Sequence, residues 1–231
     1  MMNILLEQGG ANPNSSDKAG RTPLSHAARS RHEGAAKMLL QRGDVNPDPL
    51  DRDGRTPLSL AAETENIGVV KMLLGRGGVN LDSSDKAGRT PLSYAAESWN
   101  VVKMLLGRGG VNLDSSDKAG WTPLSWAAQF GHWSVVKILL EQGDVNPNSS
   151  DEAGGTQLSW AAEFGSQAVV KVLLERGDVN PNSPDEAGRT PLSWAAESGH
   201  HGVVKILLEL GGANPDSSDE DGRTLGCRIR D

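Results

Sequence analysis

Apolar and polar residues follow a pattern along the chain that recurs about every 34 residues. One such unit runs from Asp185 to Asp219. Within it, Leu192, Ala195 and Ala196 stand at helical spacing and predict a first short helix. The denser apolar group at 203–208 predicts a second and more deeply buried helix. A glycine separates the two groups, and turn residues precede the first. Each unit is therefore predicted to be a turn followed by two antiparallel helices.

A threonine precedes the first predicted helix of each unit, and a proline follows it in most units. Threonine is a favoured N-cap residue, and proline is favoured at the first helical position. The recurring threonines are Thr22, Thr56, Thr90, Thr122, Thr156, Thr190 and Thr224. Their spacing is 34 residues, apart from one interval of 32 after Thr90. A fixed period of this length predicts stacked supersecondary units rather than one globular core.

The repeat boundaries predict a single domain over residues 1–231. We assign a half repeat, six full repeats called one to six, and the truncated start of another to residues 1–16, about 17–50, 51–84, 85–116, 117–150, 151–184, 185–218 and 219–231. Residues 69–88 and 101–120 are identical, which indicates a recent duplication. The segment Ile4 to Leu6 is predicted to be a second helix without its first. Apolar faces left uncovered at both ends predict end-to-end self-association.

The shared pattern D-x-x-G-R-T-P-L-S-W-A-A-x-x-G-H-x-x-V-V-K-x-L-L-x-x-G resembles the ankyrin repeat and covers nearly the whole chain. The resemblance implies an all-α repeat solenoid, a stack of helix-turn-helix units joined by β-hairpins or turns. It also implies a protein-binding scaffold whose first helices line a concave groove beside the hairpin tips. Serine after Pro-Leu, where the commonest family form has histidine, resembles the ankyrin arrays of fungal intracellular proteins.

Several repeats depart from this pattern. Arg31 and Glu65 stand where repeats four to six have a glycine between the two helices. If the backbone is left-handed there, a residue other than glycine costs about 1 kcal/mol. Repeat three lacks two residues in the same loop, and Gln157 replaces the helix-opening proline of repeat five.

Composition and motifs argue against catalysis, cofactors and metals. The net charge of −7 does not provide the basic face that nucleic acids require. A single cysteine, Cys227, excludes a disulfide framework and a multi-cysteine zinc site. The chain has no phosphate-binding loop or nucleophile elbow, and the adjacent His200 and His201 would face apart on a helix. Without an apolar run of 18 residues or a signal-peptide pattern, we expect no membrane span and an intracellular, cytoplasmic location.

Aromatic residues are concentrated in one part of the chain, because all nine lie between Tyr94 and Trp194. The position after the repeated serine lies about 200° around the helix from the core leucine. From repeat one to repeat six it is occupied by His26, Leu60, Tyr94, Trp126, Trp160 and Trp194. Four residues later, Phe130 and Phe164 replace serine or threonine, and i, i+4 spacing places each beside a tryptophan. Trp121 replaces an arginine at the end of the preceding turn.

Clusters of exposed aromatic side chains are typical of interaction sites. We therefore predict a protein partner, bound in the groove by Tyr94, Trp121, Trp126, Phe130, Trp160, Phe164 and Trp194. The alternative is that Tyr94 and the tryptophans after the serines pack between repeats. Two further functions stay open, a structural segment of a larger protein's ankyrin array and a groove for a small apolar ligand.

Charge divides unevenly along the chain. Residues 1–110 carry 14 basic and 12 acidic side chains, a net charge of +2, whereas residues 111–231 carry 9 and 18, a net charge of −9. A partner segment with apolar anchors and basic flanks would complement the aromatic and acidic half, and the charge would chiefly raise its association rate.

Overall fold

The computed structural model describes residues 12–218 and divides the chain into two compact units, the N-unit Met1–Asp117 and the C-unit Lys118–Asp231. Helices of the N-unit are α1 Pro23–Arg29, α2 Glu33–Leu40, α3 Pro57–Glu63, α4 Ile67–Gly75, α5 Pro91–Tyr94 and α6 Trp99–Arg108. Helices of the C-unit are α7 Pro123–Gln129, α8 Trp133–Leu140, α9 Gln157–Glu163, α10 Gln167–Glu175, α11 Pro191–Glu197 and α12 His201–Glu209. The predictions for Ile4 to Leu6 and for residues 219–231 lie outside the described residues.

The predicted pair of helices is present in all six repeats, so the all-α repeat fold is confirmed. No strand occurs within residues 12–218, where the repeats are joined by turns and an isolated antiparallel bridge pairs Ser150 with Thr156. None of the helices in this range is both long and apolar enough to cross a bilayer.

A threonine caps every first helix, as the sequence predicts. Its Oγ1 accepts a hydrogen bond from the backbone N–H three residues later, at 3.2 to 3.4 Å. In repeats one to five the repeated serine hydroxyl also lies 3.0 to 3.2 Å from this threonine oxygen. Because Thr156 caps α9 in the same way, the helix begins at Gln157 without a proline.

The core of each unit is a row of leucines, one from each first helix, packed against the apolar face of the second helices. Each of the six is at most 2% exposed: Leu24, Leu58, Leu92, Leu124, Leu158 and Leu192. Burying a leucine side chain contributes about 1.5–3 kcal/mol. Buried alanines follow on the same face and let the second helix approach closely, which fixes the opposite face of each first helix outward.

The loops between paired helices follow the departures in the sequence. Arg31 and Glu65 have left-handed backbones with φ of 57° and 51°, so the predicted strain is confirmed. In repeat three, the loss of two residues shortens α5 to four residues, continued by a 3-10 turn at Ala95–Glu97. Helix α6 then begins directly after Ser98.

An aspartate organises the turn before each first helix. In repeat five, Asp151 Oδ1 accepts hydrogen bonds from the backbone N–H groups of Ala153 and Gly155, each at 2.9 Å. Successive turns also bond to each other, as Glu186 N does to the Ala153 carbonyl at 3.0 Å. These bonds fix the residue that ends each turn, which stands five positions before the aromatic residue of its helix.

Candidate protein-binding surface

In three repeats, the arginine that ends the turn is held by the turn's own carboxylate or lies over the side chain after the serine. In repeat six, Arg189 Nε donates to Asp185 Oδ2 at 2.9 Å, and Arg189 Cζ lies 3.8 Å from the centroid of the Trp194 ring. In repeat two, Arg55 Nη2 donates to Asp51 Oδ2 at 3.1 Å. The turn therefore positions a guanidinium beside the outward face of the first helix.

Tyr94 takes part in the same arrangement within the N-unit. Its hydroxyl donates to Asp85 Oδ2 at 2.5 Å, and Arg89 Cζ lies 4.3 Å from the ring centroid. Burial and the Asp85 carboxylate raise the pKa of the Tyr94 hydroxyl, which keeps it protonated as a donor. Tyr94 is half-buried and packs within its own turn.

Five of the predicted residues form a chain of rings in the C-unit. Trp121, standing where other repeats have arginine, lies 4.8 Å from Trp126 and 4.6 Å from Trp160, measured between ring centroids. Trp126 stacks on Phe130 at 5.9 Å, and Trp160 lies 6.5 Å from Trp194. Such separations are typical of favourable aromatic pairs. The rings thus join three successive repeats.

Phe164 is the exception among these residues. The spacing of α9 predicts a contact between Trp160 and Phe164 like that of Trp126 and Phe130, and this prediction is wrong. The Trp160 ring instead contacts Trp121 and Trp194, while Phe164 makes no ring contact within the described residues. Trp121, which has no counterpart in the other repeats, provides the competing ring.

Exposure separates the phenylalanines from the tryptophans. Phe130 and Phe164 are 45% and 48% exposed, although their side chains are apolar. The four other repeats carry a hydroxyl residue there: Ser30, Thr64, Ser98 and Ser198. The tryptophans are half-buried, because they pack on one another between repeats. We call the six residues of the C-unit the aromatic surface: Trp121, Trp126, Phe130, Trp160, Phe164 and Trp194.

A small pocket opens beside the aromatic surface, between the first helices of repeats five and six. Its volume is about 130 Å³. Its side-chain walls are formed by Ser159, Trp160, Glu163, Asp185, Arg189 and Trp194, and its backbone wall includes Gly155. Two buried polar atoms of these walls, Trp160 Nε1 and Glu163 Oε2, have no hydrogen-bond partner in the described protein. Burial raises the pKa of the Glu163 carboxyl, which Arg189 partly opposes and Glu197 reinforces.

Glu163 and Gly155 are absent from the predicted site, because the sequence analysis followed aromatic residues alone. A comparison of the turn-end column would have indicated this pocket, since Arg21, Arg55, Arg89 and Arg189 are interrupted there by Trp121 and Gly155. Elsewhere in residues 12–218, no group of three histidine, cysteine or carboxylate side chains is arranged to hold a metal ion. The chemistry that the surface offers is apolar contact, attraction of cations to aromatic rings, and carboxylate pairing.

Comparison with known proteins gives a family model, ankyrin repeats in three copies, that matches residues 1–85, 76–151 and 143–219. No curated protein sequence matches this chain significantly. Solved structures that are similar include the human ASB11 ankyrin repeat domain, with 27% identity, a TM-score of 0.80, and coverage of 90% of this chain and 91% of that chain.

Two further similar structures are also ankyrin repeat proteins. The ankyrin repeat domain of Bcl-3, described as a unique member of the IkappaB protein family, has 27% identity and a TM-score of 0.77, covering 93% of this chain and 96% of that one. The ankyrin repeat protein EF0377 has 28% identity and a TM-score of 0.74, covering 84% and 99%. The chain therefore belongs to the ankyrin repeat family, whose members generally act as protein–protein interaction modules.

Proposed function

We propose that this protein binds a protein partner through the aromatic surface of its C-unit. The observation that carries the proposal is the exposure of Phe130 and Phe164, at 45% and 48%, where the other repeats have serine or threonine. An exposed phenylalanine contributes little to the folded state. Such rings instead provide apolar area that a partner buries on binding.

The half-buried tryptophans support the same function in a different way. Trp121, Trp126 and Trp160 are held by ring contacts of 4.6 and 4.8 Å, so their accessible edges are already fixed before a partner arrives. Rigid aromatic anchors lose little conformational entropy on binding. The mechanism is binding alone, with the partner's apolar side chains packed against preformed ring faces. Tyr94, which lies in the N-unit, is a second and separate candidate contact.

The proposal is tested by selecting peptides from a displayed random library on the wild-type protein, and by measuring their affinity for the Phe130→Ser/Phe164→Ser double variant. Truncating central aromatic anchors typically costs about 2–4 kcal/mol of binding, which is a loss of about 30-fold or more. Because serine already stands at these positions in other repeats, the unfolding midpoint should stay within about 2 °C of the wild type.

Trp133→Gln is the matched control. Trp133 is 51% exposed, belongs to the same unit, and makes no ring contact with the aromatic surface within the described residues. Glutamine stands at the equivalent position of repeat five, Gln167. Peptides should bind this control as they bind the wild type. Equal binding by the wild type and a folded double variant would place the binding surface elsewhere.

A further inference from the structure

The pocket beside Gly155 occupies a position that other repeats fill with their own arginine. In repeat two, Arg55 Nη2 pairs with Asp51 Oδ2 at 3.1 Å, and Arg55 Nη1 lies 3.6 Å from Glu63 Oε2. The equivalents of these two carboxylates in repeat five are Asp151 and Glu163. Repeat five therefore keeps both acidic partners but has no guanidinium between them.

The carboxylates left behind are incompletely paired. Asp151 Oδ1 caps its turn, while Oδ2 receives no hydrogen bond within the described residues. Glu163 Oε2 is buried and without a partner, and the burial raises the pKa of its carboxyl. A buried acceptor without a donor costs free energy, so an incoming donor is favoured here.

The position of Gly155 opens this space directly. A Cβ built on Gly155 would lie 3.0 Å from Trp160 Cζ2 and 3.1 Å from Asp151 Oδ2. A side chain at this place would thus start between the ring and the carboxylate. In repeats three and six the arginine that starts there lies over the neighbouring ring, as Arg189 Cζ does 3.8 Å from the Trp194 centroid.

The charges around the pocket favour a cation. Arg189 lines one wall, and its guanidinium is already paired with Asp185 at 2.9 Å and stacked on Trp194. Asp151 and Glu163 remain as the carboxylates without a cation of their own, and Glu197 adds negative charge near Glu163. A planar guanidinium fits better than an ammonium, because it stacks on an aromatic ring and pairs with carboxylates at the same time.

We propose that this pocket binds an arginine side chain of the partner protein, with the guanidinium against the Trp160 ring and paired with Asp151 and Glu163. The partner's arginine thereby takes the place that Arg55, Arg89 and Arg189 take in their own repeats. The inference rests on the proposed function and names the chemistry of the partner segment, an arginine beside apolar anchors.

The test is an NMR titration of the isotopically labelled full chain with N-acetylarginine amide. N-acetylcitrulline amide, which has the same shape without the charge, is the comparison ligand. We expect a saturable shift of the Trp160 indole N–H signal with the arginine derivative alone. The Trp99 and Trp133 signals, outside the pocket, should not move.

Glu163→Gln copies Gln129, the residue of repeat four at this position, so the fold should tolerate it. Removing one charge-assisted pairing should weaken the arginine derivative about tenfold. Glu97→Gln removes the same charge from the equivalent position of repeat three and should leave its affinity unchanged. Gly155→Arg supplies an internal arginine, as repeat six does beside Trp194, and should abolish the Trp160 shift.

Equal shifts with citrulline, or an unchanged affinity in both Glu163→Gln and Gly155→Arg, would overturn the inference. These results are separable from a failure of the proposed function, because a single arginine does not use Phe130 or Phe164. If the arginine derivative fails to bind while the double phenylalanine variant loses selected peptides, the proposed function stands and the arginine pocket does not.

Discussion

Replacing Asp48 with asparagine is expected to stabilise the protein, because Asp48 makes half of a bond pattern that asparagine completes in other repeats. Asn148 Oδ1 accepts from the Asn180 N–H at 3.0 Å, and its Nδ2 donates to the Asp178 carbonyl at 2.7 Å. Each bond joins one repeat to the next. Asn14 and Asn182 make the same pair of bonds.

Asp48 keeps the accepting bond and lacks the donating one. Its Oδ2 accepts from the Asn80 N–H at 2.8 Å, whereas its Oδ1 is buried without a hydrogen-bond partner in the described protein. The carbonyl that would receive an amide donor belongs to Gly78, which stands thirty residues later, as Asp178 does from Asn148. Asparagine therefore replaces a buried unpaired acceptor by a bonded donor.

The magnitude follows from these two changes. One added hydrogen bond contributes about 0.5–1.5 kcal/mol, and removing an unsatisfied buried acceptor adds to it, so we expect a gain of about 1–2 kcal/mol. Denaturant unfolding followed by circular dichroism measures this difference at pH 7. Asn148→Asp is the reverse change in the C-unit and should lower stability by about 1–3 kcal/mol through the lost donor.

The gain should also depend on pH, because burial raises the pKa of the Asp48 carboxyl above its unfolded value, while the Asn80 N–H bond opposes the shift. A raised folded pKa contributes stability that is fully present below the unfolded pKa and is lost as pH rises through the folded pKa. The advantage of Asp48→Asn should therefore be largest at neutral pH and smaller near about pH 4. A destabilised Asp48→Asn variant at pH 7, or a gain independent of pH, would refute the reasoning.

Two further changes test local features of single repeats. Glu65→Gly should stabilise by about 0.5–1 kcal/mol, because Glu65 is exposed with φ of 51° and glycine relieves the left-handed strain; Gly199→Glu, which introduces that strain at an open site with φ of 71°, should cost about as much in thermal unfolding. Gln157→Pro should stabilise by about 0.4–1 kcal/mol, because proline suits the first helical position and the buried Gln157 Oε1 is unpartnered; a clear loss in denaturant unfolding would instead assign more weight to the Gln157 Nε2 bond with Ser125 Oγ at 3.2 Å.

The sequence predicts the helices well because the determinants are local. A threonine cap and a following leucine fix the start and register of α11, and the same signals fix α9 even where Gln157 replaces proline. The shortened loop of repeat three is visible as two missing residues, although the 3-10 turn at Ala95–Glu97 is not. Self-association, the cytoplasmic location and the single domain over residues 1–231 stay predictions.

The candidate site is less predictable, because ring orientation depends on residues from neighbouring repeats. Helical spacing places Trp160 and Phe164 on one face of α9, yet the Trp160 ring contacts Trp121, which lies 39 positions earlier in the chain. The pocket likewise arises from a missing side chain at Gly155. Aligning the repeats column by column reveals that absence, but the packing of the walls needs coordinates.

The central claim, that the partner binds the aromatic surface, is tested most directly by the six indole N–H signals of the protein. Trp121, Trp126, Trp160 and Trp194 belong to the surface, whereas Trp99 and Trp133 lie outside it and serve as internal controls. On addition of a peptide selected on the wild-type protein, the four surface signals should shift and the two control signals should stay in place. Shifts confined to Trp99 and Trp133, with the four surface signals unchanged, would contradict the account.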